Sequence, residues 1–428
     1  MSPVFDFAEL RNEALRCTKC GFCQATCPSY RETRDESQVA RGRIRLIRAV
    51  MDGELPVTAG YVRRIESCLY CLSCVSTCPS GVQIDKIILA AREHYTAVKG
   101  LPWVKRIALH QVLPANGRMS LASASLQAAQ KTVLKLPLAD RLVPKGIDIR
   151  RIPSTFRSLR RRLPAVNTVP DPRGRVVFYA GCLIEHTMPE IGESLVRVLN
   201  RLGVEVTLAK SARCCGLPML VAGDTGAAKL LARRNIMLLE KMGGDAVVTA
   251  CASCGTAIKK EYPLIFRDDP GMLAKAERLA ARTFDISAYL VDELGFRSQD
   301  LASLELSVTY HDPCHLLRGQ NVSAQPRALL GGLPGVEYRE MAEAGRCCGA
   351  AGFFQALYPD VSVAVSDRKV QSIVETGAEY VASSCPACLQ RIQGSLNLAG
   401  LKQKAVHVVQ LLDQAGNMEE LSKQGNKL

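Results

Sequence analysis

"CTKCGFCQATCP" runs from Cys17 to Pro28 and "CLYCLSCVSTCP" from Cys68 to Pro79, two runs of the form C-x2-C-x2-C-x3-C-P with forty residues between Cys27 and Cys68. One CxxC alone is compatible with a redox pair or with half a zinc site. Two complete runs are far more specific. This is the spacing that holds two [4Fe-4S] cubanes, each run giving three thiolates to its near cluster and its fourth to the other. By that rule Cys17, Cys20, Cys23 and Cys78 are expected to hold one cubane and Cys68, Cys71, Cys74 and Cys27 the other. Zinc is the competing reading.

The rest of the composition fits metal in a reducing compartment. The chain has 428 residues, 47% of them hydrophobic, enough for two to four domains with large cores. Its 18 cysteines come in groups instead of the scatter of a disulfide-stapled secreted domain. The opening "MSPVFDFAEL" has no basic stretch ahead of an apolar one, and no window reaches the roughly 18 apolar residues of a membrane span. The expected location is therefore cytoplasmic, with peripheral contact to the cytoplasmic face of the inner membrane. The net charge of +14 is uneven: residues 101–172 hold 13 Lys or Arg against Asp140, Asp148 and Asp171, densest in "RSLRRRLP" from Arg157. Few aromatics interleave with these charges, so nucleic acid is not the expected partner, and anionic headgroups or an acidic subunit fit better.

Residues 1–100 read as helices interrupted by the cysteine runs. "ARGRIRLIRAV" from Ala40 sets Ile44, Ile47 and Val50 on one face and Arg41, Arg45 and Arg48 on another, and Ile84, Ile87, Ile88 and Ala91 share a face after the second run. Residues 101–172 give mixed signals and are read as a basic connector. From Arg173 β-rich runs alternate with amphipathic helices. "RVVFYAGC" ends at Cys182, "VEVTLAKSARCCG" carries Cys214 and Cys215, and "DAVVTACASC" carries Cys251 and Cys254.

The same order then recurs, with Cys314 after "LSVTYHDP", Cys347 and Cys348 in "AGRCCG", and Cys385 and Cys388 in "SSCPAC". Cys182 and Cys314, Cys214 and Cys347, and Cys251 and Cys385 stand at nearly constant separation, which marks an internal duplication, 173–300 and 301–428. Alternating β and α units imply parallel sheets, whose ligands collect beyond the carboxyl ends of the strands. Each copy should thus bring five thiols to one sheet edge. Five exceed the four ligands of zinc or of an ordinary cubane, and adjacent Cys-Cys side chains diverge, which favours a larger or non-cubane iron–sulfur assembly. A four-thiolate zinc site with a spare thiol is the alternative.

With both copies spelling C-x31–32-CC-x35–36-CxxC, the repeats resemble the cysteine-rich CCG domain of heterodisulfide reductase and of several dehydrogenase iron–sulfur subunits. The whole arrangement, including "ARGRIRLI" and "CCGAAGFF", resembles the iron–sulfur subunit family of glycolate oxidase and, less closely, that of anaerobic glycerol-3-phosphate dehydrogenase. The expected fold is α+β and multidomain: a helical two-cluster ferredoxin-type domain followed by two α/β CCG domains.

The resemblance implies an electron-transfer component that serves a separate FAD-containing 2-hydroxy-acid dehydrogenase and passes electrons toward quinone, without oxidising substrate alone. In agreement, no G-x-G-x-x-G follows a predicted strand. The alternative it allows is a heterodisulfide-reductase-like subunit that reduces a disulfide at the CCG sites. Further candidates lie near the cysteines. His311 and His315 bracket Cys314 and read as packed neighbours more readily than as ligands. Arg41, Arg43, Arg45 and Arg48 either offset cluster charge or form a solvated face, and Gly216, Gly349 and Gly352 suit tight turns or close backbone approach.

Overall fold

The computed structural model describes residues 4–7, 9–132, 134 and 152–425. Around the two cysteine runs the chain is helical, as its periodicity requires. In the helix Ala40–Met51, Ile44 and Ile47 are buried, and in Ile84–Lys99 the whole Ile84, Ile87, Ile88, Ala91 stripe is. Thr58 caps the helix Ala59–Glu66 by accepting from Tyr61 N. These helices pack on one another and, through Ile84–Lys99, on the helix Leu217–Val221 of the first cysteine-rich copy.

The duplication forms two open sheets. The first contains β1 (Val166–Asn167), β2 (Gly174–Phe178), β3 (Val204–Leu208), β4 (Ala246–Thr249) and β5 (Thr283–Asp285), in the order β1-β3-β2-β4-β5. All its pairings are parallel except that of β1 with β3. The second contains β6 (Leu306–Tyr310), β7 (Val336–Tyr338), β8 (Tyr380–Ser383) and β9 (Lys404–His407), all parallel, in the order β7-β6-β8-β9. The strands preceding each cysteine group stand where the sequence put them. Each copy adds a fourth parallel strand, β5 or β9, after its last cysteines, and these are too short to show an alternating pattern.

The two copies interlock. The helix Val408–Gly425, after β9, crosses to the first copy and packs on Pro189–Arg201, where Asp413, 4% exposed, accepts from Arg197 at 2.6 Å and Arg201 at 3.0 Å. At the sheet edges, Ala252 N donates to Ser384 O at 3.2 Å and buried His407 meets Ala250 O at 3.0 Å. The carboxyl ends of β4 and β8 therefore face each other.

The described parts of 101–172 are folded against the first copy. A helix over Trp103–Ile107 continues into a π-turn, and a second covers Asn116–Lys131. Asn116 donates to Ala212 O at 3.0 Å and Ser120 meets His186 at 3.1 Å. Lys135, Arg141, Lys145, Arg150 and Arg151 lie outside the described residues.

Candidate metal centres

The two N-terminal runs curl identically. Lys19 and Gly21 in the first and Tyr70 and Leu72 in the second, at matching positions, all take positive φ, which turns successive thiols to one side. Each fourth cysteine is followed by proline. Cys27 is extended (φ −76°, ψ 115°) and caps the helix beginning at Pro28, which turns it off the line of its own run. The consequence is an exchange: Cys17, Cys20, Cys23 and Cys78 line one pocket, while Cys68, Cys71, Cys74 and Cys27 line another. Cys20 is exposed in the first group, whereas Cys27 and Cys71 are buried in the second. Burial pushes the Cys71 thiol up to about 12, with Cys314 adding to it, and lifts Cys74 well above the ordinary range. Thiolates there need a bound cation to hold them.

Arg41 and Arg43 divide between these pockets. Arg41 lines the first and pairs with Glu36. Arg43, two residues on, turns inward and is 2% exposed. Its Nε donates to Arg64 O at 2.8 Å, and its Nη2 to Ser29 and Ser67 Oγ at 3.2 and 3.1 Å. It lines the Cys27 pocket, so for this residue the solvated-face reading fails. Arg45, side chain 62% exposed beside Glu54, does lie on the solvated face.

In the cysteine-rich copies the adjacent thiols stay in contact, Cys214 with Cys215 and Cys347 with Cys348, contrary to the expectation that such neighbouring side chains diverge. Cys214 contacts Cys182, and Cys215 contacts Cys254, which in turn reaches Cys251. In the second copy Cys347 contacts Cys314, and Cys348 contacts Cys388, which reaches Cys385. Each copy thus forms an open string of five thiols. The strings meet where β4 and β8 face each other, at Cys251 and Cys385. At the other end of the second string, Cys347 packs with Leu69, Cys71 and Phe354, alongside Cys314. Gly216 and Gly349 turn at φ +83° and +84°, and a Cβ on either would press on Ala228 or Ser362, each in the second helix after the turn; Gly352, φ +58°, has open space and serves the turn alone.

His315 is a hydrogen-bonded neighbour, its ring joining Tyr70 O at 2.9 Å and Ser253 Oγ at 3.1 Å, so that it ties the N-terminal domain to both copies. Tyr70 OH donates in turn to Glu261 at 3.0 Å, whose carboxyl burial raises to about 7. His311 differs. It is fully buried beside Cys348 and Cys388, and apart from the facing Cys348 thiol neither ring nitrogen has a hydrogen-bond partner among the described residues. Tyr70 and Glu261 carry no motif, so sequence reasoning had no signal for them.

All 18 cysteines are free thiols, gathered as four, four, five and five. The quartets match the ligand number of a cubane, and the strings are too long and too open for tetrahedral zinc. The donor sets fit iron–sulfur groups.

Comparison with known proteins agrees. The 4Fe-4S dicluster domain matches residues 13–82, and the cysteine-rich domain matches twice, at 176–259 and 308–393. A probable glycolate oxidase iron-sulfur subunit of Bacillus subtilis (strain 168) is 32% identical over 94% of both chains. Lactate utilization protein A of an Exiguobacterium strain is 34% identical over 56% of this chain and 97% of its own length. One subunit of the fumarate reductase (CoM/CoB) of Methanothermobacter marburgensis is 35% identical over 57% of this chain and 47% of its own. In fold alone, a hypothetical protein from Helicobacter pylori is alike, with TM-score 0.50 and 10% identity over 88% of this chain and 68% of that one.

Proposed function

The chain belongs to the family of glycolate oxidase iron–sulfur subunits, and on that premise we propose that it is the electron-carrying member of a larger oxidoreductase. In this reading a separate FAD-containing subunit oxidises a 2-hydroxy acid, glycolate or lactate, and a quinone receives the electrons. Iron–sulfur clusters supply one-electron transfer when bound, at potentials set by burial, charge and hydrogen bonds to sulfur. Cys17, Cys20, Cys23 and Cys78 would hold one [4Fe-4S] group and Cys68, Cys71, Cys74 and Cys27 the other. Cys182, Cys214, Cys215, Cys251 and Cys254, and likewise Cys314, Cys347, Cys348, Cys385 and Cys388, would hold the further two.

The observation that carries this reading is the continuity of sulfur. The Cys27 quartet adjoins Cys314 through Cys71, the second string leads from Cys314 to Cys385, and Cys385 touches Cys251 of the first. The Cys17 quartet is the more exposed end, with Phe22 beside it 62% exposed, and suits a docking partner.

Attachment to the cytoplasmic face of a membrane would be peripheral. No helix among the described residues is long and apolar enough to cross one, while exposed Trp103, Val104 and Ile107 stand beside Arg106 in the basic segment.

Purified anaerobically and alone, the chain should contain iron and sulfide, lack flavin, and fail to oxidise glycolate or lactate with an artificial dye. Adding the flavoprotein should restore electron flow to a quinone, and Cys214→Ala or Cys347→Ala should block it while dye reduction by the flavoprotein persists. Robust hydroxy-acid oxidation by the chain alone would overturn the reading. The strings of five thiols leave one rival, disulfide reduction at those sites, which turnover of a disulfide by the chain would promote.

A further inference from the structure

The two cysteine-rich copies share backbone and thiols, and their surroundings have diverged. His311 directly follows β6, its N–H donating to Ala382 O of β8 at 2.9 Å. In the first copy Tyr179 holds the equivalent place, directly after β2, and donates to Val248 O of β4 at 2.9 Å. From that shared anchor the side chains have different fates. Tyr179 is satisfied: its hydroxyl donates to Arg213 O at 2.5 Å, well within the protein's own hydrogen bonding. His311 is 0% exposed, and beyond the thiols its nitrogens have no partner among the described residues. A ring nitrogen lies with Cys348 Sγ and Cys388 Sγ inside a span of 4.8 Å.

A buried imidazole with no oxygen or nitrogen partner is costly unless something binds it, and such groups in a native fold mark an ion or ligand site. We propose that His311 is a sixth donor at the second cysteine-rich site, binding its metal centre through a ring nitrogen. The proposal rests on the reading that this site holds an iron–sulfur group. An imidazole adds a ligand atom without adding negative charge to five thiolates.

A second, independent difference runs the same way. Beside the second string stand buried Lys369 and Arg391. Aligning the copies on Ala228 with Ser362 and on Cys254 with Cys388 puts Asn235 and Ala257 in those places in the first. Lys369 Nζ donates to Glu343 O at 2.7 Å and Ala344 O at 3.2 Å, next to the Cys347–Cys348 turn. The second copy thus sets two buried cations beside its thiols where the first has Asn235 and Ala257, surroundings suited to a more negatively charged centre.

The test uses the full chain, purified anaerobically with and without ¹⁵N-histidine, as wild type, His311→Tyr, His315→Asn and Cys388→Ala. Tyrosine is the first copy's own residue at this place, and His311→Gln serves as a second variant. Pulsed EPR should show a directly bonded nitrogen whose coupling responds to the label, persists in His315→Asn and vanishes in His311→Tyr and Cys388→Ala. A chelator should strip iron from His311→Tyr at least about tenfold faster than from the wild type. Iron present at the second site without that nitrogen coupling, or coupling and iron release unchanged in His311→Tyr, would overturn the proposal. If Cys388→Ala loses no iron, the site holds none, and the functional reading beneath the proposal falls with it.

Discussion

Replacing Arg43 by Met tests whether a buried cation biases the Cys27, Cys68, Cys71, Cys74 centre. The guanidinium is 2% exposed and lines that pocket, and its charge acts on the Cys74 thiol. The fold should survive. Ser29 Oγ keeps its bond to Gln38 O at 3.0 Å, Ser67 Oγ keeps its bond to Arg64 O at 2.9 Å, and removing a buried charge returns much of its desolvation cost. Net stability should change by no more than about 2 kcal/mol. The electron affinity of the centre should change more. A unit charge at roughly 6 Å in an effective dielectric of about 20 is worth about 2.8 kcal/mol. For a one-electron couple, with about 59 mV per tenfold, that lowers the potential by about 120 mV. Arg43→Lys should lose less than half of this, and Arg45→Met, 62% exposed beside Glu54, should shift by less than about 20 mV because solvent screens it. The assay is an EPR-monitored potentiometric titration with iron counted in each variant. Equal shifts in Arg43→Met and Arg45→Met, or an Arg43→Met shift below about 30 mV with iron retained, would refute the reasoning.

Cys27→Ala should cost the centre of Cys68, Cys71 and Cys74, and Cys78→Ala that of Cys17, Cys20 and Cys23, seen as loss of about four iron atoms each; the reverse assignment would sink the exchange. Asp413→Ala removes the carboxylate that Arg197 and Arg201 share between the copies and should destabilise by about 2–4 kcal/mol in urea unfolding, discounted because Arg197 is half exposed and both arginines keep other hydrogen bonds. Burial holds the Glu261 carboxyl at about 7, above the ordinary 4.5, so its contribution to stability is complete below 4.5 and is lost as pH rises through about 7. Glu261→Gln should accordingly flatten the decline in unfolding midpoint between about pH 4.5 and 7; an unchanged slope would exclude the role. Binding to anionic vesicles should be present in low salt and lost in molar salt, where the Debye length is about 3 Å; insensitivity to salt would count against electrostatic attachment.

What the sequence made legible was local. The spacing in each cysteine run dictates the curl at Lys19, Gly21, Tyr70 and Leu72, and the proline after each fourth thiol directs it to the other quartet. The near-constant separation of Cys182 from Cys314, Cys214 from Cys347 and Cys251 from Cys385 revealed the duplication because each copy keeps its strand–cysteine order. Arg43 was harder to read. It sits between Arg41 and Arg45 in a run that looks uniformly solvated, and only the carbonyl of Arg64 and the hydroxyls of Ser29 and Ser67 explain its burial. β5 and β9 have three and four residues, too few for periodicity to register.

The placement of the sites relative to one another was beyond any periodicity, because it depends on pairings across hundreds of residues. In the chain the order is the N-terminal quartets, then the first string, then the second. In space the second string intervenes: Cys71 neighbours Cys314 and Cys347, and the first string joins the second at Cys251 and Cys385. This inversion has visible causes. His315 fastens the second copy to Tyr70 O, Arg31 reaches Glu343 at 3.0 Å, and Tyr358 OH reaches Arg63 O at 3.0 Å, all between the N-terminal domain and the second copy. Arg92, meanwhile, donates to Val221 O at 2.9 Å and Cys68 O at 2.6 Å, holding the first copy alongside without placing its thiols against the quartet. The last part of the chain thus completes the sulfur line that its first part begins.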